Sequence, residues 1–502
     1  MTTTQKPSFE NGLISEIQNK YGVTCDTDSY KLSHHPQYAE NADAMISYIE
    51  SRGGKYDRVL FFGLQLILKE YFLRPLTHEQ VDNIIKWETE HMMGNITDDL
   101  EIALRTVVDE YDGKLPVLIK AVPEGTIVPV KNVLMTIETS VPDRRIFSLV
   151  SYFETKLLRL WSPTTVATTS YHLRQQILEK LKITSVDPMA GIAFMLHDFG
   201  SRGASSFETA AFAGAGHLVS FMGSDTTVAI MAAELGYGEP MAAFSIPASE
   251  HSTTTSRGVD GEESLVQAMF DNYAKPGAIF ATVADSYDVL RFIREITPKF
   301  KSRLIESGAT WVIRPDSGDP VEMPIKCVIE LEKIFGSTRN KKGYKVLNNV
   351  KVIQGDGIGP EEVSKIMERL IEQGYCVSNC AFGLGGSLLQ KNNRDTQKFS
   401  LKCSAIRVNG KWLEVYKNPA VYDKDWNKVE GAESFKKSKR GQLELVRNVN
   451  TNEFITVEIN EGSPVQLNVT HPWEVMLEPV FKDGELLRDM VLAEVRRNAG
   501  IL

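Results

Sequence analysis

Residues 192–203 read I-A-F-M-L-H-D-F-G-S-R-G, a short apolar run of strand-forming length that breaks off at a histidine, an acid and a glycine. The same grammar recurs six times before residue 390. Leu218 to Met222 precedes G-S-D-T, Met241 to Ile246 precedes P-A-S-E-H-S, and Ala278 to Ala284 precedes D-S-Y-D. Thr310 to Ile313 precedes R-P-D-S-G, Val350 to Ile353 precedes Q-G-D-G, and Val377 to Phe382 precedes G-L-G-G-S. A longer helix-compatible stretch follows each run, so the order is β-α-β-α and the strands are of parallel type. About seven such strands, with polar residues gathered at their C-terminal ends, predict an irregular β/α barrel whose reactive mouth is that end. An open doubly wound sheet is the competing arrangement.

Outward from this block the texture changes. Glu79 to Tyr111 and the run S-Y-H-L-R-Q-Q-I-L-E-K-L-K (170–182) are helix candidates. After Lys402 alternating strands take over: C-S-A-I-R-V-N-G-K-W-L-E-V-Y-K (403–417) carries an N-G hairpin signal between two period-two runs. Neither flank reads as compact alone. The expected organisation is therefore a barrel over 186–395 and a discontinuous α+β domain built from 1–185 and 396–502. The run F-K-K-S-K-R-G (435–441) reads as a solvated loop, with phosphate contact as the lesser alternative.

Composition bounds the function. The 502 residues are 42% hydrophobic and 24% charged, the proportions of a folded globular protein, and the net charge of −9 argues against a nucleic-acid surface while leaving room for a local basic pocket. Five scattered cysteines (Cys25, Cys327, Cys376, Cys380, Cys403) do not make a disulfide framework, and Cys376 and Cys380 read as buried apolar thiols before a zinc pair. The first ten residues hold no apolar signal core, and no uncharged apolar run reaches about 18 residues. The expectation is a cytoplasmic, soluble protein.

No G-x-x-x-x-G-K-[ST], H-E-x-x-H, G-x-S-x-G or strand-following G-x-G-x-x-G is present, so Walker NTPases, zincins, α/β-hydrolases and Rossmann dehydrogenases recede. No strand tip carries a lysine for Schiff-base chemistry. The strand ends present Asp198, Arg202, Asp225, His251, Asp285, Asp288, Arg314, Asp316 and Asp356, interleaved with Gly355, Gly357, Gly383, Gly385 and Gly386. Arginines grip phosphate bidentately, glycines let backbone N–H groups approach it, and aspartates hold ribose hydroxyls or a bridging magnesium ion. Together they describe a phosphosugar site. Singly, Asp288 and Asp316 read equally well as helix caps or turn residues, and G-L-G-G-S as a tight strand-to-helix turn. Phe199, between Asp198 and Gly200, reads either as a ring that stacks on a flat ligand or as one that packs under a loop. Tyr30 reads as a stacking partner or as a half-buried surface tyrosine.

The motifs D-S-Y-K (28–31), F-F-G-L-Q (61–65), H-D-F-G-S-R-G (197–203), G-S-D-T (223–226), E-H-S (250–252), I-R-P-D-S-G (313–318), I-Q-G-D-G (353–357) and L-L-Q-K-N-N-R-D (388–395) resemble, in order over about 25–420, the nicotinamide phosphoribosyltransferase family. That resemblance implies a type II phosphoribosyltransferase fold, a homodimer with active sites at the subunit interface, and the reaction of nicotinamide with phosphoribosyl pyrophosphate to give nicotinamide mononucleotide and pyrophosphate, with magnesium. By the same resemblance, Phe199 and the partner subunit's Tyr30 sandwich the pyridine ring and Asp225 accepts from the carboxamide. Arg314 lies near the carboxamide and phosphates, and Asp316 and Gly355, beside Asp356, hold the ribose. Gly385, Gly386 and Arg394 bind the 5′-phosphate. Arg202, His251, Arg52 and Lys417 face pyrophosphate, Asp285 is the magnesium candidate, and His251 matches a histidine phosphorylated by ATP. Three positions depart from the family pattern: G-S-G-G-G reads G-L-G-G-S here, through Leu384 and Ser387, and Ser201 stands where an aromatic is common.

The alternatives weighed are a nicotinate or quinolinate phosphoribosyltransferase, which should set cations rather than Asp225 around the ring substituent, and a non-catalytic dimeric binding protein, which should have lost the strand-end polar set.

Overall fold

Six short parallel strands form one sheet in the order Gly223–Ser224, Leu196–Asp198, Cys380–Leu384, Val350–Gln354, Thr310–Arg314, Ile279–Val283. The stretch expected as a further strand, 241–246, forms none. Phe244 makes an isolated parallel bridge to Gly223 at one edge of the sheet, and Ala248, just past the stretch, makes another to Ala281 at the other edge. Pro240 and Pro247 bracket the stretch, and a residue without an N–H cannot extend a ladder. Two other runs are displaced toward their C-termini. Residues 192–194 and 377–379 are 3₁₀ turns, and the strands begin at Leu196 and Cys380. Leu218 to Ser220 is a buried turn following the helix Gly214–His217, Phe221 and Met222 are irregular, and the strand is reduced to Gly223–Ser224.

This computed structural model describes residues 12–429, 437–459 and 472–502. It divides into two compact units, one of Met1–Trp161 with Arg394–Gly500, the other of Ser162–Asn393 with Ile501–Leu502. The division falls after the first residue of the helix Trp161–Thr184, which absorbs the predicted 170–182 helix.

In the second unit the sheet has unlike faces. Phe280, Trp311, Ile313, Val352, Phe382 and Leu384 point into a large apolar core with the helices Glu322–Phe335 and Pro360–Glu372. The opposite face carries only Ala281, Val312 and Ile353, with Phe199, Ile246 and Ala381 packed on them. Period-two alternation thus sends Phe280, Trp311, Phe382 and Leu384 to the helices and leaves a smaller apolar set on the other face. Cys327, Cys376 and Cys380 are buried free thiols, and burial pushes the Cys327 and Cys380 thiols up to about 12.

The first unit is built on a seven-stranded sheet in the order Lys411–Glu414, Phe399–Val408, Ala42–Ser51, Val133–Thr139, Val117–Ala121, Glu478–Lys482, Glu485–Leu486, its pairs antiparallel. The N-G hairpin turns at Asn409 (φ 51°) and Gly410 (φ 77°), two positive angles that this dipeptide supplies at low cost. The long helix read over 79–111 is two, His78–His91 and Asp99–Glu110, parted by Gly94 at φ 76°. Ser438 is buried and exchanges hydrogen bonds with the Lys417 backbone, and Lys439 Nζ lies 2.7 Å from Glu50. This part of the 435–441 run is anchored rather than solvated; 435 and 436 lie outside the described residues. Among the described residues no helix is long and apolar enough to cross a membrane.

Candidate active site

Each sheet strand delivers its functional group from its C-terminal end, as the local sequence dictates. After Leu196–Asp198 the chain turns sharply: the buried Asp198 carboxylate accepts from Gly200 N–H at 2.7 Å, and Phe199 N–H donates to Leu384 O at 2.9 Å. These two bonds aim Phe199 across the sheet end. Its ring lies against Gly355 and Gly383; a Cβ on Gly383 would meet Phe199 Cε2 at 2.1 Å. Phe199 is half-buried and seated on the smaller apolar set, so it has a core beneath it and an open face above. The Arg314 guanidinium sits 5.9 Å from the ring centroid.

Around this floor the charges pair with one another. Arg314 Nε donates to Asp316 Oδ1 at 3.0 Å, and Nη2 to the same oxygen at 2.5 Å. His251, first residue of the helix His251–Thr255, places Nε2 3.0 Å from Asp285 Oδ1 and Nδ1 4.0 Å from Asp316 Oδ2. Asp285 is an acceptor, so Nε2 carries a proton and in the neutral ring Nδ1 keeps a lone pair. Asp225 is exposed, accepts from Ser245 Oγ, and is fixed in the backbone by its N–H to Asp198 O at 2.9 Å. Burial holds the Asp198 carboxyl up to about 6, with the Gly200 N–H pulling the other way, and burial lowers His197 as well.

The phosphate-type loops also meet. Gly385 and Gly386 are partly exposed, and a Cβ on Gly203 would lie 3.2 Å from Gly386 Cα, so the turn bearing Arg202 abuts the Gly385–Gly386 turn. Asp356 is exposed, and its carbonyl accepts from Gln354 Nε2 at 2.8 Å. Asp288 takes the helix-cap reading: its carboxylate accepts from Leu290 and Arg291 N–H.

Tyr30, Arg52, Arg394 and Lys417 belong to the first unit. Tyr30 is 57% exposed and T-shaped to His34 at 4.7 Å. Its segment is clamped from below. Thr27 Oγ1 donates to Tyr152 O, Lys31 Nζ reaches Ser151 Oγ at 3.0 Å and Glu154, and Lys156 Nζ bonds Asp26 O at 3.2 Å. Arg52 Nε pairs with Glu50 at 3.0 Å. Lys402 is held below its usual value first by burial, then by the charges of Arg52, Lys31 and Lys417, against Glu154, so these cations share one neighbourhood.

Residues 194–447 match the nicotinate phosphoribosyltransferase (NAPRTase) family, and residues 22–119 match the N-terminal domain of nicotinamide phosphoribosyltransferase. The chain is 47% identical, over 94% of its length and 97% of the relative's, to the nicotinamide phosphoribosyltransferase of Xanthomonas campestris. The chain belongs to this family. Its fold is that of the nicotinate-nucleotide pyrophosphorylase of Pyrococcus furiosus (TM-score 0.56, 14% identity, 98% of this chain and 97% of that one) and of human nicotinic acid phosphoribosyltransferase (TM-score 0.53, 19% identity, 95% and 93%).

Against that family pattern the two departures in the glycine loop have local causes. Leu384 is fully buried in the helix-facing core, and Ser387 Oγ donates to Ile358 O at 2.8 Å, tying the loop to its neighbour. Ser201 is exposed at the start of the turn Ser201–Gly203. The sequence reading named Asp198 without a role and missed Ser245. Nothing in A-A-F-S-I-P announces a serine opposite Asp225; the Phe244 bridge to Gly223 puts it there.

Proposed function

We propose that this protein transfers the phosphoribosyl group of phosphoribosyl pyrophosphate to nicotinamide, releasing pyrophosphate and forming nicotinamide mononucleotide, a step of NAD salvage. The near-full-length likeness to the Xanthomonas nicotinamide phosphoribosyltransferase carries this reading, and an anionic rather than cationic side chain at position 225 agrees with it. A carboxylate accepts from an amide NH₂ and repels the carboxylate of nicotinate.

The chemistry asks little of acids or bases. The pyridine nitrogen is already unprotonated at neutral pH; it attacks C1 of the ribose as the C1–O bond to pyrophosphate breaks. Positive character builds in the sugar and negative charge on the leaving group, so positioning and electrostatics dominate. In this reading Phe199 supports one face of the ring and the partner subunit's Tyr30 the other, in a homodimer. Arg202 and His251, with Arg52 and Lys417, face pyrophosphate, and Arg314 lies near the carboxamide and phosphates. Asp316, fixed by Arg314, holds the ribose with Gly355 and Asp356. Gly385, Gly386 and Arg394 hold the 5′-phosphate.

Among the described residues no group of three or more His, Cys, Asp or Glu could hold a metal ion. That does not fit a resident all-protein cage. It does fit an ion that takes one carboxylate, Asp285, and completes its shell with substrate oxygens. Bound there, Mg²⁺ would neutralise charge on the leaving pyrophosphate. ATP enters as an activating co-substrate: a His251 nitrogen takes the γ-phosphoryl group as ADP leaves, and water later releases phosphate.

The test is direct. Purified protein given phosphoribosyl pyrophosphate, Mg²⁺ and nicotinamide should yield nicotinamide mononucleotide by mass; absence of product rejects the reading. His251→Ala should abolish ATP stimulation while leaving some, lowered, basal turnover, and stimulation that persists removes the phosphohistidine.

A further inference from the structure

We infer that Ser245 is a positioning residue for substrate choice: its hydroxyl locks the Asp225 carboxylate in the orientation that receives an amide NH₂. The inference rests on the proposed reading of Asp225 as the carboxamide acceptor and extends it to a residue outside that set.

Asp225 is exposed, immediately after the two-residue strand Gly223–Ser224. Its backbone is pinned by Asp198 O. Its side chain has one hydrogen-bond donor among the described residues, Ser245 Oγ on Asp225 Oδ1. Without that donor, no hydrogen bond among the described residues holds the carboxylate against rotation. Ser245 is held in place by its own backbone neighbour. Phe244 N–H donates to Met222 O at 2.8 Å and Ser224 N–H to Phe244 O at 3.2 Å, a latch that sets residue 245 beside residue 225.

A hydroxyl has one proton, and here it is spent on Oδ1. The outward-facing pair is therefore acceptor only: Oδ2 is free, Oδ1 keeps a lone pair, and Ser245 Oγ offers lone pairs but no hydrogen. An amide NH₂ brings two donors to such a surface. A carboxylate brings none, and the serine proton is not available to it while Asp225 holds it.

Ser245→Ala should raise KM for nicotinamide roughly tenfold, the scale of a lost hydrogen bond to a charged group, and should leave kcat and KM for phosphoribosyl pyrophosphate within about twofold. The preference for nicotinamide over nicotinate should fall by the same factor. Ser245→Thr, which keeps the hydroxyl, should restore both. In an Asp225→Asn background the Ala substitution should add nothing beyond about twofold, because serine acts through the carboxylate. An unchanged KM in Ser245→Ala overturns the inference. So does an equal loss in every kinetic constant, or a full additional loss in the Asp225→Asn background. If the wild-type enzyme prefers nicotinate, the substrate reading itself fails; if it prefers nicotinamide and Ser245→Ala matches it, this inference fails alone.

Discussion

His251, whose side chain is 47% exposed, and Arg314, at 22%, meet their acid partners where solvent or a ligand can reach them, whereas Lys31, Glu88 and Lys156, which seat the Tyr30 segment, are 4%, 1% and 1% exposed. At the strand ends of the second unit, ionisable groups form short pairs above a glycine-lined floor. Partly exposed pairs of that kind contribute modestly to stability, and the lone pairs and N–H groups that face solvent remain available to substrate. In the Tyr30 segment the charges are buried, which costs desolvation and fixes geometry. Chemistry and scaffold are thus separable. Substitutions on the face should cost activity without stability, and substitutions in the seat should move stability first.

The largest separation is expected at Arg314. Arg314→Ala removes a guanidinium from the leaving-group side and should lower kcat by about 10²–10³-fold. The urea midpoint should stay within the range of a surface substitution. A comparable loss of stability would erase the contrast.

Glu88 breaks it from the other side. Tyr152 Oη lies 2.9 Å from both Thr24 O and Glu88 Oε1, and has only one proton. The Thr24 carbonyl can only accept, so Tyr152 donates to it and Glu88 must supply the other proton as a neutral acid. Burial indeed pushes the Glu88 carboxyl up to about 7. A carboxyl raised from its ordinary value near 4.5 binds more protons folded than unfolded, so stability falls as pH rises from about 4.5 through 7, by about 3 kcal/mol at most. Glu88→Gln keeps the donor and removes the titration. It should match wild type near pH 5 and exceed it at pH 8 in urea midpoint; parallel curves would contradict the neutral acid.

Gly383→Ala sharpens the comparison inside the face. Its Cβ would stand 2.1 Å from the Phe199 ring, so the ring must move off its floor. Losing one stacking face costs about 1.4 kcal/mol, roughly tenfold in KM for nicotinamide. The smallest effect is at Gly410→Ala, where φ of 77° strains an L-residue by about 1 kcal/mol and activity should not change.

Much of the second unit was legible because parallel strands announce themselves twice, by an apolar run and by the polar break after it. The breaks placed Phe199, Arg202, Asp225, Asp285, Arg314 and Asp316 after strand ends, and the structure pairs His251 with Asp285 and Arg314 with Asp316. The strand bounds were harder: 192–194 and 218–222 are mainly apolar, and short runs of that kind fit a turn as well as a strand, while Ser378 and Asn379 put polar residues in the turn ahead of Cys380. Ser245 was hidden because its meaning comes from a bridge between residues 223 and 244. Glu88 did leave a signal. It follows Val81 and Ile84 at helical spacing, which places an acid on the buried stripe of His78–His91. The separate spans of the first unit could be read, as at the Asn409–Gly410 hairpin, but the pairing of Ala42–Ser51 with Phe399–Val408 across some 350 residues could not.

Equimolar nicotinamide and nicotinate offered together to the enzyme, with phosphoribosyl pyrophosphate and Mg²⁺ and the products weighed by mass spectrometry, test the anionic ring site most directly. The product should be almost wholly nicotinamide mononucleotide, with Asp225→Asn moving the ratio toward the nicotinate product. A wild-type mixture dominated by nicotinate mononucleotide would contradict it.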